Sequence, residues 1–184
     1  MLRAALPSDR RDAASLSEEP SGLISEPFPQ SAQDLYDEVL FHGPDFWAID
    51  AIEGIGPNGL VASVKTAPRP AKWIDSPLRG TWLADPLVID GVLQLGIIWQ
   101  HARTGHLSLP GYIASYEQFL DHYPKGAVRC ALTVRDSSSS RIVADACLSD
   151  ADGKLIAKLE GCTWTTNAQL ADAFGKVSSR AAQA

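Results

Sequence analysis

In ADPLVIDGVLQLGIIWQ, residues 84–100, the stretch from Pro86 to Trp99 is apolar except for Asp90 and Gln94. Residues four apart lie on one face of a helix. The pairing has a chemical use: a carboxyl can give or take a proton, and a carboxamide beside it can orient it. In apolar surroundings desolvation disfavours the ionised carboxylate, so such an acid is expected to keep its proton for delivery. A competing reading makes Asp90 a negative charge in the early turns of a helix, where the helix dipole favours it. His101 falls on the same line three turns later, but at 1.5 Å per residue it stands about 16 Å from Asp90. That is too far for the two to share a small substrate.

A polar stripe on a helix whose other faces are apolar requires wrapping. The spacing predicts this helix from about Pro86, a good first-turn residue, to about Arg103. Before it, SAQDLYDEVLFHGPDF reads as a short helix or turn stopped at Gly43-Pro44. FWAIDAIEGIGPNGLVASVKTA reads as two strands around Gly56-Pro57-Asn58-Gly59. Ala67 to Asp85 is a proline-punctuated loop carrying Arg69, Lys72 and Arg79, of the kind that forms lids and binding loops. After the helix, strands are expected near 111–120, 126–136, 140–150 and 154–166, the last two joined by an Asp-Gly turn in SDADGK. The pattern is α+β. A curved antiparallel sheet wrapped around one long apolar helix is the hotdog arrangement, with Gly91 and Gly96 allowing close approach.

Composition sets the bounds. The chain has 184 residues, 45% of them hydrophobic, enough for one domain with a sizeable core. Residues 1–34, rich in Ser, Pro and charge, read as a linker or disordered lead-in. The hotdog domain is expected over 35–166, and 167–184 as a polar tail. A net charge of −6 without a Lys/Arg cluster argues against nucleic acid. Cys130, Cys147 and Cys162 are odd in number and lie in strand-like segments, so they read as small core residues and not as a metal site or disulfide framework. With no signal peptide or membrane span visible, a soluble cytoplasmic protein is expected.

Three motifs, in order, carry a resemblance. LYDEVLFHGPDFWAI, residues 35–49, is similar to the element that opens the second hotdog of polyketide synthase dehydratase domains, where an aromatic residue or histidine precedes Gly-Pro-x-Phe. DPLVIDGVLQ, residues 85–94, resembles that family's active-site helix, in which Asp and Gln stand four apart after a His-Pro. LPGYIASYEQF, residues 109–119, is similar to its Leu-Pro strand. The HGPxF form and the lead-in also resemble dehydratase-like segments of iterative and polyunsaturated fatty acid synthases.

The resemblance implies the C-terminal hotdog of a double-hotdog dehydratase, acting on β-hydroxyacyl groups held by the phosphopantetheine of an acyl carrier protein, with no cofactor of its own. Asp90 matches the acid that protonates the departing hydroxyl, and Gln94 its orienting neighbour. His42 stands where tyrosine is common and could donate to the substrate hydroxyl; a plain surface histidine is the alternative. Phe46 and Pro44, with Leu109 and Pro110, would line the acyl channel. Arg69, Lys72 and Arg79 suit the phosphopantetheine phosphate or an acidic carrier protein; ordinary solubilising charges are the alternative. Two departures stand out: Asp85 replaces the usual histidine before the proline, and residues 1–34 contain no counterpart of the first hotdog with its basic histidine. A homodimer or a partner hotdog is therefore expected, because the sheet has an open edge. A non-catalytic acyl-binding scaffold and a hotdog thioesterase stay open as alternatives.

Overall fold

The computed structural model describes residues 23–166. The expected lead-in up to residue 22 and the tail 167–184 lie outside them. Among the described residues, Leu23 is already buried, ahead of the boundary expected at Leu35. Leu23 is buried with Val61 and Ala131 on the side of the sheet away from the main core, and Glu26 bridges Ile55. Apolar side chains placed so early give this segment something to bury, which its polar composition conceals.

Helix α1, Ala32–Glu38, starts at a capping box. The Ser31 hydroxyl accepts from the Asp34 N–H, and the Asp34 carboxylate accepts from the Ser31 N–H at 2.9 Å. This phase turns Leu35 and Tyr36 inward. A 3-10 turn at Pro44–Phe46 follows. Strands β1, Ile49–Gly56, and β2, Gly59–Lys65, form the expected hairpin. Helix α2 spans Pro86–Thr104 and ends at Gly105, whose φ of 71° is the left-handed cap that glycine adopts without strain.

The remaining strands are β3, Ser108–Tyr112; β4, Ser115–Gln118; β5, Ala127–Ser137; β6, Arg141–Ser149; and β7, Leu155–Thr166. They complete one seven-stranded antiparallel sheet ordered β1-β2-β5-β6-β7-β3, with β4 also on β7. The single strand expected near 111–120 is two strands. The cause is in β7: Gly161 has a φ of +61° and packs against Ala114, and its N–H is taken by Asp145. The ladder is interrupted there, so β3 pairs with one end of β7 and β4 with the other.

The sheet curls around α2, which touches β1, β2, β3, β5, β6 and β7. Val88, Val92, Leu95, Ile97 and Ile98 are buried, each such side chain contributing about 1.5–3 kcal/mol. Gly91 lies against Val64 and Ala48, and Gly96 against the indole of Trp164. Trp164 is fully buried and donates its N–H to the Leu93 carbonyl at 2.8 Å. The architecture is the hotdog. No helix among the described residues is long and apolar enough to cross a membrane.

Candidate active site

Three segments distant in sequence meet at the second turn of α2. Gln94 is fully buried and its amide is fully used. Its Oε1 accepts from the Tyr36 hydroxyl at 2.7 Å. Its Nε2 donates to the Phe46 carbonyl at 2.8 Å and to Asp90 Oδ2 at 2.7 Å. Tyr36 in turn accepts from the Ile49 N–H at 2.7 Å. Both ends of this chain are backbone groups with a single role: Ile49 N–H can only donate and Phe46 C=O can only accept. The amide therefore has one orientation, with its N–H toward Asp90. Oδ2 is held as an acceptor, and no described residue hydrogen-bonds Oδ1.

Tyr36 is kept a hydroxyl. Burial above all pushes its phenol up to about 12; the Ile49 N–H opposes this and the Asp90 charge adds to it. The ring stacks on Trp47 with centroids 5.0 Å apart, and the Trp47 indole N–H donates to the His42 carbonyl at 3.0 Å. That bond fixes the backbone at His42. The Phe41 ring stacks on the imidazole at 4.4 Å. His42 Nε2 stands 3.6 Å from Asp90 Oδ2, with side chains 13% and 28% exposed. Burial pulls the imidazole below its ordinary pKa, and the Asp90 charge pulls the other way. His42 Nδ1 is buried and has no hydrogen-bond partner among the described residues.

Asp85 does work that its place before Pro86 hides. Its buried carboxylate caps α2 by accepting from Leu87 and Val88 N–H, each at 3.0 Å, and it also accepts from Ala67 N–H at 2.9 Å. One side chain thus clips both ends of the 67–85 loop. Burial pushes its pKa up, while the three N–H donors oppose that rise. Within the loop Trp73 stacks on Phe46 at 5.5 Å and approaches Trp82 at 5.9 Å. The Trp82 N–H is anchored on the Pro68 carbonyl at 2.6 Å. The loop is therefore tied to the residue whose carbonyl receives Gln94.

Among the expected site residues, Asp90, Gln94, His42 and Phe46 come together. Pro44 opens the 3-10 turn beside them and is exposed. Arg69, Lys72 and Arg79 are exposed on the loop. Leu109 and Pro110 lie on β3 opposite Thr165 and Trp164, with no hydrogen bond to the Asp90 network among the described residues. No cluster of described His, Cys, Asp and Glu residues could hold a metal ion. Cys130, Cys147 and Cys162 are free, and burial raises the pKa of each thiol. Sequence reasoning missed Tyr36, although the capping box at Ser31 and Asp34 was available to place it on the inward face of α1.

The family model of the polyketide synthase dehydratase N-terminal domain matches residues 17–173. The chain belongs to the polyketide synthase dehydratase family. Solved structures of similar fold include the dehydratase domain from the CurK module of curacin polyketide synthase, at 19% identity over 89% of this chain and 54% of that one, with a TM-score of 0.54. The dehydratase domain of a mycocerosic acid synthase-like polyketide synthase matches at 19% identity over 83% of this chain and 56% of the other, with a TM-score of 0.62. A trans-acyltransferase polyketide synthase enoyl-isomerase matches at 14% identity over 76% and 57%, with a TM-score of 0.53. This dehydratase-like chain spans about half the length of the structures it matches. No curated protein matches it.

Proposed function

We propose that this hotdog is of the second, acid-bearing kind, and that it contributes Asp90 to the dehydration of β-hydroxyacyl thioesters carried on the phosphopantetheine of an acyl carrier protein in the cytoplasm. The observation that carries the reading is the oriented Asp90–Gln94 pair. Hydroxide is a poor leaving group, so elimination needs a proton delivered to the β-oxygen as the α-proton is removed. Gln94 occupies Oδ2, which leaves Oδ1 to carry that proton. Phe46, exposed beside the pair and backed by Trp73, offers an apolar wall to the acyl chain. The exposed Arg69, Lys72 and Arg79 suit the phosphate of the carrier's arm or the carrier's acidic face. Strand β1 and the β3–β4 edge terminate the sheet and suit pairing with a second hotdog. In the same direction, solved structures of the CurK dehydratase include inactive mutants with aspartate changed to asparagine and histidine changed to phenylalanine.

The test is a product assay. Purified chain is incubated with a β-hydroxyacyl-pantetheine thioester and the products are separated by mass spectrometry. Loss of water from an intact thioester supports the reading. Release of free hydroxy acid would instead identify a thioesterase, and recovery of unchanged substrate would leave a non-catalytic scaffold.

A further inference from the structure

We propose that Tyr36 is a positioning residue for the acid: acting through Gln94, its hydroxyl decides which oxygen of Asp90 carries the proton. The inference rests on the dehydratase reading above and goes beyond it, because it gives a core tyrosine on another helix a share in the chemistry.

The count of protons carries it. The Tyr36 oxygen accepts from the Ile49 N–H at 2.7 Å, so its own single proton goes to Gln94 Oε1, also at 2.7 Å. Both protons on Gln94 Nε2 are taken, one by the Phe46 carbonyl at 2.8 Å and one by Asp90 Oδ2 at 2.7 Å. The Phe46 carbonyl also accepts from the Ala48 N–H at 2.8 Å, which uses both of its lone pairs. An oxygen that faces an N–H is the acceptor end of a carboxyl, so the acid proton resides on Asp90 Oδ1. The Tyr36 ring is buried and stacks on Trp47 at 5.0 Å, and the Ser31 capping box sets the phase of α1 that turns it inward. The hydroxyl is therefore placed independently of Asp90.

Without the hydroxyl, Oε1 loses the donor that marks it as the far end of the amide. In a reversed amide Oε1 faces Asp90, where it can accept only a proton held on Oδ2. That proton points at Gln94 and is lost to delivery. The Phe46 carbonyl still opposes the reversal, because it would face Oε1 in place of an N–H. The loss is therefore partial, and smaller than the loss from removing the carboxyl itself.

The experiment uses the full chain as wild type, Tyr36→Phe, Gln94→Met and the double variant, with a β-hydroxyacyl-pantetheine thioester and with its β-acetoxy analogue. Tyr36→Phe should lower kcat for the hydroxy substrate by about 10-fold, the worth of one hydrogen bond, with KM little changed. On the β-acetoxy substrate the deficit should narrow, because acetate departs as an anion and needs no proton from the acid. The double variant should be no slower than Gln94→Met, since a residue that acts through Gln94 has nothing to act on once the amide is gone. This comparison stands even if Tyr36→Phe alone does not fold. NMR should show the Gln94 side-chain amide responding to ionisation of Asp90 in wild type and responding less in Tyr36→Phe. Undiminished kcat in Tyr36→Phe with Asp90→Asn silent would overturn the inference and leave the dehydratase reading standing. An equal deficit on both substrates, a double variant slower than Gln94→Met, or an unchanged amide response would assign Tyr36 to the fold alone and overturn it too. A wild-type chain without enoyl product would overturn the dehydratase reading and this inference together.

Discussion

The Tyr36 hydroxyl donates to Gln94 Oε1 at 2.7 Å within the core, across 58 residues of sequence. Replacing Tyr36 with Phe keeps the ring on Trp47 but leaves the Ile49 N–H and Gln94 Oε1 buried without partners. A buried unsatisfied polar group costs about 1–3 kcal/mol. Urea denaturation should therefore show a loss in at least that range, and an unchanged midpoint would mean the hydroxyl does not organise the site.

Gly96 is required by Trp164. A Cβ at 96 would overlap the indole, whose N–H is fixed on Leu93, so neither side can yield easily. Gly96→Ala should lower stability by about 1–3 kcal/mol or more, read as a drop in melting temperature. A neutral effect would contradict the close packing of α2 on β7.

His42 should make stability depend on pH with a definite sign. Its folded pKa is lowered from 6.5 by burial, so the unfolded chain binds the proton more readily. The contribution is complete above about pH 6.5 and is lost as pH falls through the lowered folded value. Relative to His42→Phe, wild type should therefore lose stability on acidification below about 6.5, measured by denaturant melts across that range. A difference that stays flat would show that the imidazole is not buried.

Arg69, Lys72 and Arg79 are exposed on one loop of an acidic chain. Changing all three to Ala should weaken binding of an acyl carrier protein by about 10-fold or more in low salt and by much less in high salt, where screening removes the effect for both proteins. Equal affinity in low salt would assign the three residues to solubility alone.

How much of this was legible in the sequence follows the range of each interaction. The β1–β2 hairpin, α2 with Pro86 near its start, and the Asp-Gly turn before β7 depend on neighbouring residues, and they were readable. The Asp90–Gln94 pair was readable for the same reason, since helical spacing alone brings the two together. Tyr36 was not, because its value comes from the Ile49 N–H and from Gln94, which only the folded sheet brings to it. Asp85 looked like a departure from a family pattern, yet it is a cap and a loop clip whose third donor, Ala67, lies 18 residues away. The division of the expected 111–120 strand into β3 and β4 depends on Gly161 in another strand. The packing of Leu23 depends on Val61 and Ala131, so its burial could not be read from local composition.

The measurement that bears most directly on the account is turnover of a β-hydroxyacyl-pantetheine thioester by wild type and Asp90→Asn, with a thermal melt of each. Asparagine keeps the shape and can still accept from Gln94, but it has no acidic proton to deliver. The account predicts enoyl product from wild type, a loss of about 100-fold or more in the variant, and a melting temperature unchanged or slightly raised, as when an ionisable group held for chemistry is removed. Undiminished turnover in Asp90→Asn, with stability lowered by about 0.3–1 kcal/mol as for a residue serving only the helix dipole, would contradict it.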